Sequence, residues 1–343
     1  MYDEVLYPAK GDDTSEVRRF VLGLGLGYDE DVELVVVIRN TSGEIVATGS
    51  LAGKVAKHLG VKPELEGTGL LVRVFDRLYQ HARSAGQSKL LAITAPRSAH
   101  VLRSLGFSQI EATARAVLLE FCPGSSGLRA YLAGLPGVAT THNAGVVLNA
   151  NPFSLGHLYL VTQAAKMCEH VFVFVVTEDR SLFPTEVRER LVRSGTEHLK
   201  NVTVLSGGDY IISQATFPMY FIRSTETAAE IQAELDAQVF ARHIAPALKI
   251  TSRYVGEEPY CATTRMYNDA MRVVFGRHGL ELEVVPRLEV DGEAVSASRI
   301  RAAIRAADWQ KVARLVPDTT RRFLQSAESL DIIRRIRESD LPH

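Results

Sequence analysis

The stretch Asn149-Ala-Asn-Pro-Phe-Ser-Leu-Gly-His157 decides how the second half of this chain is read. Before it, Gly145–Leu148 is a short apolar run; after it, Gly156–Cys168 has helical spacing and His170–Thr177 is apolar and β-branched. Strand, turn, helix, strand is a βαβ unit, and the quoted segment fills its first turn. A helix N-terminus at that place presents unpaired backbone N–H groups and the positive end of the helix dipole to an anion. Gly156 lets the backbone approach a phosphate closely. His157 is a donor for a phosphate oxygen, Ser154 adds a hydroxyl, and Pro152 holds the entering chain extended. Alone, a Gly-His pair at a helix start reads more readily as a capped helix with a half-exposed histidine.

Further along, strand patterns at Val202–Leu205, Lys249–Val255 and Leu282–Val285 alternate with helical patterns over 225–243, 263–277, 298–307 and 318–337. Such alternation predicts an α/β domain with a parallel sheet covered on both faces. Val295-Ser-Ala-Ser-Arg-Ile-Arg301 opens a second helix. Ser296 or Ser298 would cap it, and Arg301, one turn in, would reach a β- or γ-phosphate. Its plain alternative is a capped amphipathic helix, with Arg299 and Arg305 as readily solvated. Between the two motifs, the loop Tyr254–Tyr260 follows a strand and suits the carboxyl edge where open sheets bind ligands. Gly256 and Glu257 there are candidates for adenine or ribose contact, or equally members of a surface turn. Asn149, Asn151 and Phe153 complete the candidate set.

The run Pro123-Gly-Ser-Ser-Gly127 punctuates the chain, giving expected domains of 1–125 and 126–343. In the first, strands are expected at Glu33–Arg39, Glu44–Leu51, Leu90–Thr94 and Ala116–Phe121, with helices at Leu70–Ser84 and Ala99–Leu105. The length of 343 residues suits two or three domains. Basic and acidic residues balance at 39 and 40, which argues against a general nucleic-acid binder. Cys122, Cys168 and Cys261 lack metal-site or redox spacing and read as thiols in a reducing compartment. Met1–Arg19 has no signal-peptide core, and no apolar run is long enough for a membrane span, so the cytoplasm is the expected location.

The segment Asn151–His157 resembles the motif of the nucleotidyltransferase superfamily, a His or Thr followed by a spacer, Gly and His, which grips the ATP triphosphate. Ser154 takes the first position here and keeps the hydroxyl of the Thr form. Val295–Arg301 is similar to that superfamily's later Ser/Thr-rich signature. More narrowly, Val147–Leu160, Glu178–Pro184, Asn201–Arg223, Arg253–Tyr260 and Val295–Arg301 resemble the citrate lyase synthetase, or citrate (pro-3S)-lyase ligase, family. Gly207–Ser213 and Ala215–Ile222 are particularly close to it, and the likeness runs over most of the chain. Residues before the boundary resemble an N-acetyltransferase (GNAT) fold, with Glu66–Leu71 in its pyrophosphate loop and Ala99–Phe107 in its late helix and turn. Glu66 stands where that fold has Gln or Arg, and Leu71 where it has Gly or Ala. A carboxylate there repels a pyrophosphate, so carrier docking or recognition of its CoA-like arm is expected of this domain rather than N-acetyl transfer.

The resemblance implies a GNAT-like α/β domain followed by a Rossmann-like nucleotidyltransferase domain. It implies ATP and Mg²⁺, acetate as acid, and an acetyl-adenylate. It further implies acetyl transfer to the phosphoribosyl-dephospho-CoA thiol on the acyl carrier (gamma) subunit of citrate lyase, releasing AMP and pyrophosphate. His157, Ser154 and Arg301 would act on the phosphates, with Asn149, Asn151, Phe153, Gly156, Gly256, Glu257, Ser296 and Ser298 around the ATP. The metal would ride on phosphate oxygens rather than on protein ligands. The malonate decarboxylase carrier protein is an alternative acceptor. An adenylyltransferase acting on a phosphomonoester would share the same two motifs.

Overall fold

The computed structural model describes residues 1–124, 127–177, 181–211, 225–257 and 262–338. Among these, 1–134 with 225–238 form one unit and 135–211 with 239–338 form another.

The first unit runs β1 (Tyr2–Leu6), α1 (Ser15–Gly23), β2 (Leu34–Arg39), β3 (Ile45–Ala52), β4 (Val55–Val61), α2 (Leu70–Ser84), β5 (Leu90–Thr94), α3 (Ala99–Ser104), β6 (Ser108–Ala112), β7 (Val117–Phe121) and α4 (Gly127–Ala133). Its sheet has the order β1-β2-β3-β4-β5-β7-β6. All neighbours are antiparallel except β4 and β5, which run parallel and pair at Val55 and Leu91. This is the GNAT-like α/β arrangement. Strand β2 is buried on both faces, and its alternation sorts them. Leu34, Val36 and Ile38 join Val74, Phe75 and Leu78 of α2, while Val35 and Val37 join Val17 and Val21 of α1. Gly49 is needed for the first of these layers, because a Cβ there would lie 2.8 Å from Val74 and 2.8 Å from Leu59.

Strand β4 escaped the sequence reading because Lys57, His58 and Gly60 break its apolar pattern. The pairing of β3 with β4 shifts register between Thr48 and Ser50, and His58 has φ +53°. The interruption is a buried polar cluster. Lys57 Nζ lies 3.1 Å from Asp29 Oδ2 and 2.7 Å from Asp31 Oδ1, with the lysine side chain 2% exposed. The Asp29 N–H donates to His58 Nε2 at 3.0 Å, so the imidazole proton sits on Nδ1, 2.7 Å from Ser50 Oγ.

The second unit contains β8 (Asn143–Leu148), α5 (Leu155–Met167), β9 (His170–Val175), α6 (Thr185–Thr196) and β10 (Val202–Ser206). After them comes α7 (Thr225–Val239), which the boundary at residue 238 leaves almost wholly in the first unit. Arg115 in the β6–β7 turn pairs with Glu230 and Glu234 of this helix. The second unit resumes with α8 (Ala245–Ala247), β11 (Ile250–Gly256), α9 (Ala262–His278), β12 (Glu281–Val285) and the hairpin β13 (Glu289–Val290)–β14 (Glu293–Ala294). It closes with α10 (Ala297–Arg305), α11 (Trp309–Leu315), α12 (Asp318–Leu324) and α13 (Leu330–Glu338).

Its sheet has the order β10-β9-β8-β11-β12, parallel throughout. The chain reverses direction across the sheet between β8 and β11, so the ligand crevice belongs at the carboxyl ends of those two strands. The quoted turn follows β8 and Gly256 ends β11. Val146, Leu148, Val171, Val173 and Val175 fill the core under Leu160, Val161 and Ala164 of α5 and Leu191 and Val192 of α6.

One expected element is corrected. Residues 318–337 do not form a single helix: α12 and α13 are separate, and Ser326 between them has φ −87° and ψ 159°. The Ser326 hydroxyl donates to Phe323 O, and the Ser329 hydroxyl bonds Leu324 O and Ser326 O. Local side chain to backbone bonds of this kind compete with the helical ladder. Cys122 and Cys168 are free thiols, and Cys261 lies outside the described residues. No helix among the described residues is long and apolar enough to cross a membrane.

Candidate functional site

A turn that is buried must satisfy its carbonyls, and this one does so with side chains from three helices. Arg188 of α6, fully buried, donates to Asn149 O at 2.8 Å and Asn149 Oδ1 at 3.0 Å. The same guanidinium binds Val176 O, Phe183 O and Thr185 Oγ1, tying the exit of β9 to the turn. Arg301 of α10 donates to Asn151 O at 2.6 Å, and Thr320 of α12 donates to Phe153 O at 2.9 Å. Asn151 Oδ1 accepts from the Phe183 N–H, and the Phe153 ring lies against Gly195, where a Cβ would come within 2.4 Å of it. The Asn151–Pro152 peptide is cis, which departs from the extended entry expected of Pro152.

Ser154 is the N-cap of α5, with its Oγ accepting from the His157 N–H at 3.2 Å. Reciprocally, the Ser154 N–H donates to His157 Nδ1 at 3.1 Å. This is a capping box with an imidazole in place of the usual carboxylate. Its chemical consequence is a fixed tautomer: Nδ1 is the acceptor, so Nε2 carries the proton. Burial first, and the charge of Arg287 second, push the imidazole down to about 4. At neutral pH the ring is therefore an uncharged donor through Nε2.

Gly156 is required by close packing. A Cβ at this position would sit 3.1 Å from Val295 O, so glycine lets the start of α5 approach the segment leading into α10. Ser296 caps α10 by accepting from the Arg299 N–H, and its hydroxyl lies 3.0 Å from that of Ser298. The two helix N-termini thus open on one cavity of about 270 Å³.

Of the residues singled out in the sequence, Asn149, Ser154, Gly156, His157, Gly256 and Ser296 line this cavity. Asn151 and Phe153 are buried behind it. Ser298 and Glu257 are exposed outside its lining, and Arg301 is buried against the turn. Residues 258–260 of the expected nucleotide loop, and 212–222 of the Gly207–Ile222 stretch, lie outside the described residues.

Two functional candidates were missed. Arg188 carried a signal: it shares the apolar face of α6 with Leu191 and Val192, three and four residues on. Arg287 lines the cavity, and its one signal was position, just past the carboxyl end of β12. Among the described lining residues it is the only Lys or Arg, and none is a carboxylate. No cluster of three or more potential metal ligands occurs among the described residues.

A five-stranded parallel sheet whose reversal point faces two helix N-termini and a neutral imidazole donor makes a Rossmann-like domain with a crevice suited to an anion. The chain belongs to the citrate lyase ligase family: the model for the citrate lyase ligase C-terminal domain matches residues 143–324. A citrate (pro-3S)-lyase ligase of Klebsiella pneumoniae is 37% identical over 324 residues, covering 91% of this chain and 93% of that protein. The ligase of the same name from Haemophilus influenzae is 34% identical, covering 91% and 95%. That from Escherichia coli is 33% identical, covering 91% and 90%.

Proposed function

We propose that this chain is an AMP-forming acid–thiol ligase that activates acetate with ATP and acetylates the CoA-like arm of the citrate lyase acyl carrier subunit. The observation that carries the reading is His157, fixed as an Nε2–H donor where two helix N-termini share one cavity, in a chain similar to citrate (pro-3S)-lyase ligases over nine-tenths of its length.

Acetate is an anion at neutral pH and needs no base to attack. One of its oxygens bonds to the α-phosphorus, the bond from that phosphorus to the bridging oxygen breaks, and pyrophosphate leaves. The site's work is alignment and stabilisation of charge on the phosphates. His157 and the α5 N-terminus, with Ser154 orienting the ring, serve the α- and β-phosphates. Ser296 and the α10 N-terminus serve the departing pyrophosphate, and Asn149 and Gly256 border the nucleoside. Ser298 and Arg301 belong to the same end, Arg301 also holding the turn through Asn151 O. With no carboxylate in the described lining, Mg²⁺ would arrive on the phosphate oxygens of its substrate. The carrier thiol then attacks the acetyl carbon, the bond to AMP breaks, and the thiol proton passes to water. The domain of residues 1–125 docks the carrier or its arm; exposed Glu66 at the loop before α2 argues against a second pyrophosphate site there. The reaction belongs in the cytoplasm.

Acetate-dependent exchange of pyrophosphate into ATP tests the first half-reaction. Exchange should be lost in His157→Ala while circular dichroism stays native; undiminished exchange would refute the role of His157. Mass spectrometry of the carrier subunit, looking for one added acetyl group, tests the second.

A further inference from the structure

We propose that Arg287 is a phosphate-contacting residue of this cavity, supplying the fixed positive charge that meets the ATP phosphates alongside His157. The proposal rests on the ATP reading above and extends it to a residue outside both sequence motifs.

A triphosphate brings several negative charges, and neutral donors at two helix ends offset them only in part. Among the described residues lining the cavity, Arg287 is the single cationic side chain. Arg301, the cation expected from sequence, gives Nη1 to Asn151 O and stands behind the turn. The backbone around Arg287 is anchored on both sides. Val285 O accepts from the Glu257 N–H at 2.8 Å, and Leu288 O accepts from the Val295 N–H at 2.8 Å. Pro286 restricts the intervening chain. Residues 285–288 are therefore a short strap from the end of β12 to the entrance of α10. The side chain is oriented as well, since Nε donates to Glu257 O at 2.7 Å. A guanidinium held through Nε has its plane set, and a set plane suits two-point recognition of phosphate. Burial holds the His157 ring below the usual imidazole range, and the Arg287 charge is near enough to push it the same way. Arg287 thereby adds to what burial already does for its neighbour, and carries the charge itself.

The test compares the full-length wild-type protein with Arg287→Gln and Arg287→Lys. Calorimetric binding of MgATP, inorganic tripolyphosphate and adenosine is measured for each, together with the KM for ATP in the exchange assay. Losing one charge-assisted contact should weaken ATP and tripolyphosphate roughly tenfold to a hundredfold in Arg287→Gln. Adenosine affinity should change by less than about twofold, because it carries no phosphate for the arginine to meet. Arg287→Lys, which retains the charge but lacks the planar fork, should recover only part of the loss. Tripolyphosphate binding unchanged in Arg287→Gln while ATP weakens would mean that the side chain serves only to hold Glu257, and would overturn the proposal. A loss that falls equally on adenosine would overturn it too. ATP binding by the wild type with no change in either variant defeats this proposal alone, whereas a wild type that binds no ATP defeats the ATP reading and this inference together.

Discussion

His157 illustrates how much one backbone contact can decide. The Ser154 N–H occupies Nδ1, and the tautomer and the donor direction follow from that, while burial, and then Arg287, keep the ring uncharged. A donor-only role differs experimentally from an acid–base role. In His157→Gln the terminal amide can donate near the place of Nε2 but cannot carry a proton at neutral pH. We expect kcat/KM for exchange to fall on the order of 10²–10³ in His157→Ala and to fall much less in His157→Gln. Equal loss in both would point to proton transfer instead. Since burial, and then Arg287, hold the His157 ring down to about 4, kcat/KM should show no inflection from His157 between pH 5.5 and 8, roughly. Ser154 and His157 were legible in the sequence because capping is local, a matter of residue types three positions apart. Arg287 and the anchoring of Asn149 by Arg188 were not, since both depend on chain segments brought together only by the sheet.

At the scale of elements, the site is two helix N-termini set against each other by one glycine and a turn held by side chains. Gly156→Ala should separate these effects. Its Cβ meets a backbone oxygen, Val295 O, at 3.1 Å, so the α10 entrance must give by a few tenths of an ångström. The expected result is a raised KM for ATP, with global stability reduced by only about 1 kcal/mol. Unchanged KM would mean the two helix ends need not be in register. Arg188→Ala is the opposite case. It removes a buried cation that satisfies several carbonyls, and should destabilise the protein by about 3–5 kcal/mol in urea unfolding. A loss below about 1 kcal/mol would show that water replaces it readily. Helix α2 and strand β5 were read with their observed ends because their apolar spacing is uninterrupted. Strand β4 was missed because its buried face includes Lys57 and His58, whose partners lie on other segments. The break at Ser326 was missed for the converse reason: the apolar period continues across it into α13, while hydroxyl bonds end the ladder.

For the whole molecule, the order of two α/β units was legible from where the strand patterns change, while the return of residues 225–238 to the first unit is a long-range association that local pattern does not encode. Each unit contains a histidine kept neutral by its surroundings, and together they predict how the protein responds to acid. His58 is held down to about 3, chiefly by burial and then by Lys57, with Asp31 acting in the opposite direction. Tyr28 stacks on its ring at 4.6 Å, and Ser50 and the Asp29 N–H occupy both ring nitrogens. An unfolded histidine binds its proton near pH 6.5. Between that value and about 3, the unfolded chain holds a proton that the folded chain refuses. Stability is thus complete above about pH 6.5, declines as pH falls, and levels off below the folded value. His157 contributes the same sign over the window down to about 4. The loss from His58 alone is on the order of 5 kcal/mol, and it begins well above the range in which carboxylates protonate. The diagnostic variant is His58→Asn, because asparagine tolerates the positive φ found here. At pH 7 it should be less stable than wild type through its lost stacking and hydrogen bonds. Its melting temperature should nevertheless fall less between pH 7 and pH 5, roughly, because the most strongly lowered of the titrating histidines is gone. Far-ultraviolet circular dichroism is the suitable readout, since the only tryptophan, Trp309, lies in the second unit and would not report the first. A variant whose melting temperature drops as steeply as that of the wild type over this interval would remove His58 as a source of acid lability.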